Sequence, residues 1–181
     1  VQPVPDHGVA LEAALGQLTG ADGPLTDVAE VAAVGFKAVH GGRAGGVTRV
    51  TPEVLAAMEE MSEVAPAHNP PYVKAMRTVA TRLPGVPLVA AFETGFHATI
   101  PTRNALYAVP TAWVDEHLVR RWGFHGASHR YVAGRLQQRV PAAAGRPHRA
   151  VSCHLGGSSS VCWLRDGQSV GKAVAPVLLS R

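Results

Sequence analysis

"VPLVAAFETGFHATIP", residues 86–101, decides the fold class of this chain. Its first seven residues, 86–92, are apolar without alternation. A strand of that kind is buried on both faces, which predicts the middle of a parallel sheet covered by helices. Glu93 follows at once, at the carboxyl end of the strand, where α/β sheets place their ligands. The same position also suits a helix N-cap or a solvated turn acid, and position alone leaves these readings open.

The flanking segments supply the covering helices. In "TPEVLAAMEEMSEVAP" (51–66) Thr51 caps, Pro52 takes the first helical position and Pro66 lies just past the end. Leu55, Met58 and Met61 or Ser62 form its inner stripe, so the methionines read as core. "NPPYVKAMRTVATRL" (69–83) repeats the device, with Asn69 capping and Val73, Met76, Ala80 and Leu83 facing inward. Residues 6–18 predict a helix capped by Asp6, with Leu11, Leu15 and Leu18 on one face. "AAVGFKAVHGG" (32–42) is a short strand ending in a histidine and two glycines.

Residues 111–140 read as two helical pieces broken around Gly123 to Gly126, with Ser128 capping the second and Val132, Leu136 and Val140 recurring along it. After a loop (141–149) come "AVSCHL", "GGSS", "SVCWLR", "DG" and "QSVGKAV", a β-meander with a tight Asp166-Gly167 hairpin. A first hairpin centred on the Gly/Ser turn would set Cys153 opposite Cys162, read as packed thiols in a reducing compartment. The class is α/β.

The 181 residues fit one large domain or two small ones, and 46% hydrophobic with 17% charged residues is an ordinary globular composition. The net charge of +4 comes from 17 Lys and Arg against 13 Asp and Glu, scattered along the chain, which disfavours a nucleic-acid module. Two cysteines exclude a disulfide scaffold. No apolar run reaches membrane-spanning length, and "VQPVPDHG" lacks a signal-peptide pattern, so a cytoplasmic protein is expected. The first residue is Val, so a native start upstream is expected.

Reactive side chains concentrate in "FKAVHGG", "FETGFH", "GFHGASH" and "HLGGSSS" (154–160). A Gly/Ser turn lets backbone N–H groups converge on phosphate oxygens, although such turns are also common connectors. It is not a Walker loop, because no Gly-Lys-Ser/Thr follows. His125 and His129 are four apart, a spacing two zinc ligands on a helix would share. No Glu follows His125 and no third ligand lies nearby, so no metal site is expected. With the arginines of "RRWGFHGASHR" (120–130) around them, histidines that hydrogen-bond an anionic oxygen fit better.

Taken in order, "VGFKAVHGG", "VAPAHNPP", "VPLVAAFETGFHATIP", "YAVP", "RRWGFHGASHRYV", "CHLGGSSSV" and "DGQSV" closely resemble the acetate kinase family, or acetokinases, from about residue 28 to about 170. The resemblance implies an acetate and sugar kinase/Hsp70/actin fold with two RNase H-like domains. Residues 1–97 would be the C-terminal part of the first and 98–181 the N-terminal part of the second. It also implies reversible transfer of the ATP γ-phosphoryl to a short-chain carboxylate with Mg²⁺, and commonly a homodimer. By the same resemblance His125 stabilises the transferring phosphoryl and Glu93 takes the catalytic carboxylate position. Lys37 clamps the substrate carboxylate, Val39 and Phe124 wall the acyl pocket, and His154, Leu155, Gly156, Gly157 and Ser158 bind nucleotide phosphates. His129 and Arg130 hold their helix.

Departures from the family pattern touch this chemistry. Lys37 stands where the family has Arg, losing the bidentate fork. Glu93 replaces Asp, moving the carboxylate by roughly 1.5 Å, and Gly157 and Ser158 replace Asn and Gly. Ala67, smaller than the usual leucine, implies room for propionate or butyrate. The family's opening hairpin with its Asn and "GSSS" turn, its second arginine, its adenosine site and its metal-binding glutamate are not matched, and "GKAVAPVLLSR" (171–181) leaves the pattern. A truncated kinase is therefore expected, with its metal ligands outside this chain. The competing expectation is an inactive remnant that binds a partner or a phosphorylated metabolite.

Overall fold

The structure, a computed structural model, describes residues 7–140 and 142–174. The chain divides into two compact units, Val1–Ala91 and Phe92–Arg181.

In the first unit, α1 (His7–Leu18) turns Leu11 and Leu15 onto a core of Val79, Leu83 and Leu88, while Leu18 is exposed. The expected cap Asp6 lies outside the described residues. Strands β1 (Val34–Ala38) and β2 (Val47–Arg49) flank β3 (Leu88–Phe92), giving the sheet order β1-β3-β2. The expectation of parallel neighbours is corrected at β2, which runs antiparallel to β3, pairing Val47 with Ala91 and Arg49 with Val89. Nor is β3 buried on both faces. Leu88, Ala90 and Phe92 are buried while Ala91 is exposed, so small alanines conceal an alternating strand inside an apolar run.

Between β2 and β3 come α2 (Pro52–Glu60) and α3 (Asn69–Arg82). Thr51 caps α2 by accepting from the Val54 N–H, with Pro52 at the start, as its sequence requires. The helix stops at Glu60, well before Pro66, and Met58 and Met61 are buried. Asn69 is not the cap of α3; His68 holds that position without a side-chain bond. The fully buried Asn69 amide instead donates to the carbonyls of His40 (2.9 Å) and Met58 (2.8 Å), tying the end of the β1 segment to α2. Ala80 is exposed, and Val79 takes the inward place.

The second unit opens with a 3₁₀ segment, Glu93–Thr99, followed by α4 (Thr102–Ala105), α5 (Thr111–His117) and α6 (Gly126–Arg139). Strands β4 (Arg149–Leu155), β5 (Ser159–Arg165) and β6 (Gln168–Val174) form an antiparallel meander in sequence order. Asp166 (φ 52°) and Gly167 (φ 80°) both adopt the left-handed backbone that a two-residue hairpin turn requires. Ala133, Cys162 and Leu164 form the core with Phe96, Leu136 and Ala150.

Two expectations change here. The inward stripe of α6 is Gly126, His129 and Ala133, and Val140 is exposed. Cys153 faces Val161, and Ser152 faces Cys162, so the cysteines are offset by one residue. That offset sends Cys153 to solvent and Cys162 into the core, both as free thiols. Among the described residues no helix is long and apolar enough to cross a membrane.

Candidate active site

The second unit builds its site at the N-terminus of α6. Gly123 (φ 78°) and His125 (φ 57°) are both left-handed, which turns the chain sharply before the helix starts. For histidine that conformation costs roughly 1–2 kcal/mol and persists only where neighbours hold it. The holding group is Glu93: its Oε2 accepts the His125 backbone N–H at 2.6 Å. Gly126 completes the clamp, because a Cβ there would overlap the Glu93 carbonyl oxygen. Only glycine fits. Glu93 is 7% exposed, so the acid after β3 is a buried group that braces the helix entry rather than a solvated turn acid.

Around His125 the side chains interlock. Its ring stacks on His154 with centroids 4.1 Å apart and planes 23° apart. His154 Nδ1 meets Ser128 Oγ at 3.0 Å, which gives Ser128 a partner in place of the capping role expected for it; His125 occupies the N-cap. His125 Nδ1 lies 2.9 Å from Ser160 Oγ. The same oxygen lies 2.8 Å from His129 Nε2, and His129 Nδ1 lies 2.9 Å from Ser152 Oγ. Both ring nitrogens of His129 are thus engaged by hydroxyls. Burial first, then the charge of Lys172, lowers the His129 pKa to about 4, so its ring is neutral near pH 7.

A second buried relay lies behind Phe124. His97 Nε2 is 3.1 Å from the Phe124 carbonyl, an obligate acceptor, so that nitrogen carries the proton. Its Nδ1 therefore accepts from Ser169 Oγ at 2.8 Å, and Ser169 accepts from the Cys162 thiol at 3.3 Å. Burial and then the Lys172 charge push His97 down to about 3, while burial pushes the Cys162 thiol up. Lys172 itself is 2% exposed and its Nζ has no hydrogen-bond partner among the described residues. It sits 5.8 Å from the Phe124 ring centroid, and burial lowers it to about 8 against the opposing pull of Cys162 and Glu93.

Of the residues expected at a site, Glu93, Phe124, His125 and His154 therefore meet in the second unit. Gly156, Gly157 and Ser158 form the turn after β4, and the Leu155 side chain is 79% exposed. Lys37, exposed on β1, and Val39, 7% exposed, belong to the first unit. The arginines do not surround the histidines as expected. Arg120 lies over Trp122, Arg121 over Tyr107 with a bond to the Asn104 carbonyl, and Arg130 over Phe96. Lys172, Ser152 and Ser169 escaped the sequence reading, and His97 and Ser160 entered it only within longer reactive segments, with no role given. A period-two signal was present for the serines: Ser152 and His154 share one face of β4, and Ser160 and Cys162 one face of β5.

A family model described as the Acetokinase family matches residues 1–176. An acetate kinase of Carboxydothermus hydrogenoformans is 38% identical over 174 residues, covering 93% of this chain and 43% of that protein. A propionate kinase of Citrobacter rodentium is 41% identical over 175 residues, covering 95% and 42%. The crystal structure of Porphyromonas gingivalis acetate kinase matches with a TM-score of 0.80 at 34% identity, over 96% of this chain and 44% of that one. A propionate kinase from Francisella tularensis matches at 0.81 and 26%, over 93% and 42%. The chain thus spans less than half the length of these relatives, and its α/β fold is a portion of theirs.

Proposed function

The chain belongs to the Acetokinase family, and from that premise we propose that it forms part of a carboxylate kinase, moving the ATP γ-phosphoryl to acetate or propionate to give an acyl phosphate. The observation that carries this reading is the clamp of Glu93 on the His125 backbone, which fixes an imidazole at the entry of α6 beside Phe124 and His154. A carboxylate nucleophile is ionised at neutral pH, its reference pKa lying near 4, so no strong base is required. The demand falls on positioning and on neutralising charge at the migrating phosphoryl.

His125 meets that charge as a hydrogen-bond donor, with the N-terminal end of the 14-residue α6 behind it. Phe124 walls the acyl group; Val39 and Lys37, in the first unit, are assigned to the acyl group and its carboxylate by the family resemblance alone. His154 and the 155–158 turn take the nucleotide phosphates, where the bare backbone of Gly156 and Gly157 allows close approach. Among the described residues no group of three His, Cys, Asp or Glu side chains cages a metal. Mg²⁺ commonly binds through one or two carboxylates plus substrate phosphates. The buried Glu93 carboxylate already holds the His125 N–H, so the metal ligands are read as lying outside this chain, and the metal would supply charge neutralisation on the phosphates. Residues 1–97 and 98–181 are read as parts of successive RNase H-like domains, in a cytoplasmic and homodimeric enzyme.

The test is acyl phosphate formation by the purified protein, trapped as the hydroxamate, with ATP, Mg²⁺ and acetate or propionate. His125→Ala is expected to lose on the order of a hundredfold or more in rate. Lys37→Arg is expected to lower the KM for the carboxylate by restoring a bidentate contact. No hydroxamate from any short-chain carboxylate would overturn the proposal.

A further inference from the structure

The geometry points to a switchable hydrogen-bond chain, Ser152–His129–Ser160–His125, in which His129 is a positioning residue that sets the ring tautomer and proton affinity of His125. The inference deepens the proposed role of His125, but it stands on distances alone. The three links measure 2.9, 2.8 and 2.9 Å, and Ser152, His129 and Ser160 are each at most 2% exposed. Water is thus excluded from the interior links, and the polar atoms must satisfy one another.

Each serine has one hydroxyl proton, and a neutral imidazole has one N–H. Ser160 touches two imidazoles and gives its proton to only one of them. In one arrangement His125 Nδ1–H donates to Ser160, Ser160 donates to His129 Nε2, and His129 Nδ1–H donates to Ser152. In the other every direction reverses: Ser152 donates to His129 Nδ1, His129 Nε2–H donates to Ser160, and Ser160 donates to His125 Nδ1. Both arrangements leave every link made. A cationic His125 carries a proton on Nδ1 and is compatible with the first alone.

Protonation of His125 is therefore tied to where His129 keeps its proton. Other groups face His125 as well: Glu93 from the 3₁₀ segment through the backbone amide, and His154 from β4 through ring stacking. Lys172 on β6 acts on His129 and on Glu93. These groups act from outside the chain, while the chain alone links His125 to Ser152.

Histidine ¹⁵N shifts, read by NMR across pH 5–8 on the whole chain, test this without any turnover. Failure of the kinase reading therefore leaves this result intact, and the reverse also holds. In the wild type, His129 Nδ1–H is expected whenever His125 Nδ1 is protonated, and His129 Nε2–H whenever it is bare. Two donors would leave the Ser160 hydroxyl proton without an acceptor in the chain, and two acceptors would compete for that one proton; either pairing overturns the inference. Ser152→Ala, three hydrogen bonds from His125, deprives His129 Nδ1–H of its acceptor. It is expected to hold His125 in its Nε2–H form and lower its pKa by about one pH unit. In a Ser160→Ala background the same change is expected to leave His125 unmoved. An equal response with and without the Ser160 hydroxyl would reduce His129 to a packing role.

Discussion

Lys172 carries a buried ammonium with no hydrogen-bond partner among the described residues, so replacing it with methionine is expected to stabilise the second unit. Its Cδ lies beside Gly123 and its Nζ over the Phe124 ring, space that an unbranched methionine side chain can fill. The magnitude follows from the proton equilibrium. Folding lowers the lysine from its ordinary 10.5 to about 8, and at about 1.4 kcal/mol for each pH unit the buried charge costs about 3 kcal/mol. Below pH 8 folded and unfolded chains both hold the proton, so the whole cost is present. Between 8 and 10.5 the unfolded chain keeps a proton the folded chain has released, and wild-type stability rises with pH relative to Lys172→Met. Urea unfolding followed by tryptophan fluorescence reads this unit selectively, because Trp113, Trp122 and Trp163 all lie in it. The expected advantage of Lys172→Met is about 3 kcal/mol at pH 7, shrinking toward pH 10. A less stable variant at pH 7, or an advantage independent of pH, would refute the account.

Three other outcomes are expected. Gly126→Ala forces a methyl group into the Glu93 carbonyl; it should cost about 3 kcal/mol or more in urea unfolding and displace the His125 amide resonance. Asn69→Ala strips the donors from two buried carbonyls, those of His40 and Met58, and should lower the stability of the first unit by about 2–4 kcal/mol, visible as faster amide exchange in α2 and α3. Acid should weaken the second unit well above the carboxylate range. His97 and His129 stay neutral when folded down to about 3 and about 4 but accept protons near 6.5 when unfolded. Their stabilisation is complete above pH 6.5 and falls by about 4 kcal/mol by pH 5; a urea midpoint flat between pH 7 and 5 would contradict this.

Local signals in the chain were legible wherever one residue type has one use. Thr51-Pro52 starts a helix, Asp166-Gly167 turns a hairpin, and an acid directly after an apolar strand marks the edge of a site. Asn69 was misread because the same amide serves a cap or a buried bridge, and only the fold brings two carbonyls within its reach. The direction of β2 was hidden for a similar reason: alanines at 90 and 91 give no contrast between a covered face and an open one. The cysteine register depended on the turn holding three residues, Gly156 to Ser158, between Leu155 and Ser159. The serine–histidine links needed the placement of α6 over β4, which no spacing rule encodes. The arginines of residues 120–130 look like an anion cluster in a linear chain, and in space they rest on aromatic rings.

The two sheets also differ in how far apart in the chain their strands lie, and that bears on the order of assembly. β4, β5 and β6 are consecutive and joined by tight turns, so each pairing closes a short loop, a microsecond event for an isolated hairpin. In the other sheet the central strand is the last to be made, and β1 waits through about fifty residues, from Ala38 to Leu88, for its neighbour. As the ribosome releases the chain, α1 through α3 emerge before β3, the strand that completes their core. The later-synthesised meander has the shorter route to its native pairing, and the earlier half is the one exposed to chaperones and proteases while it waits.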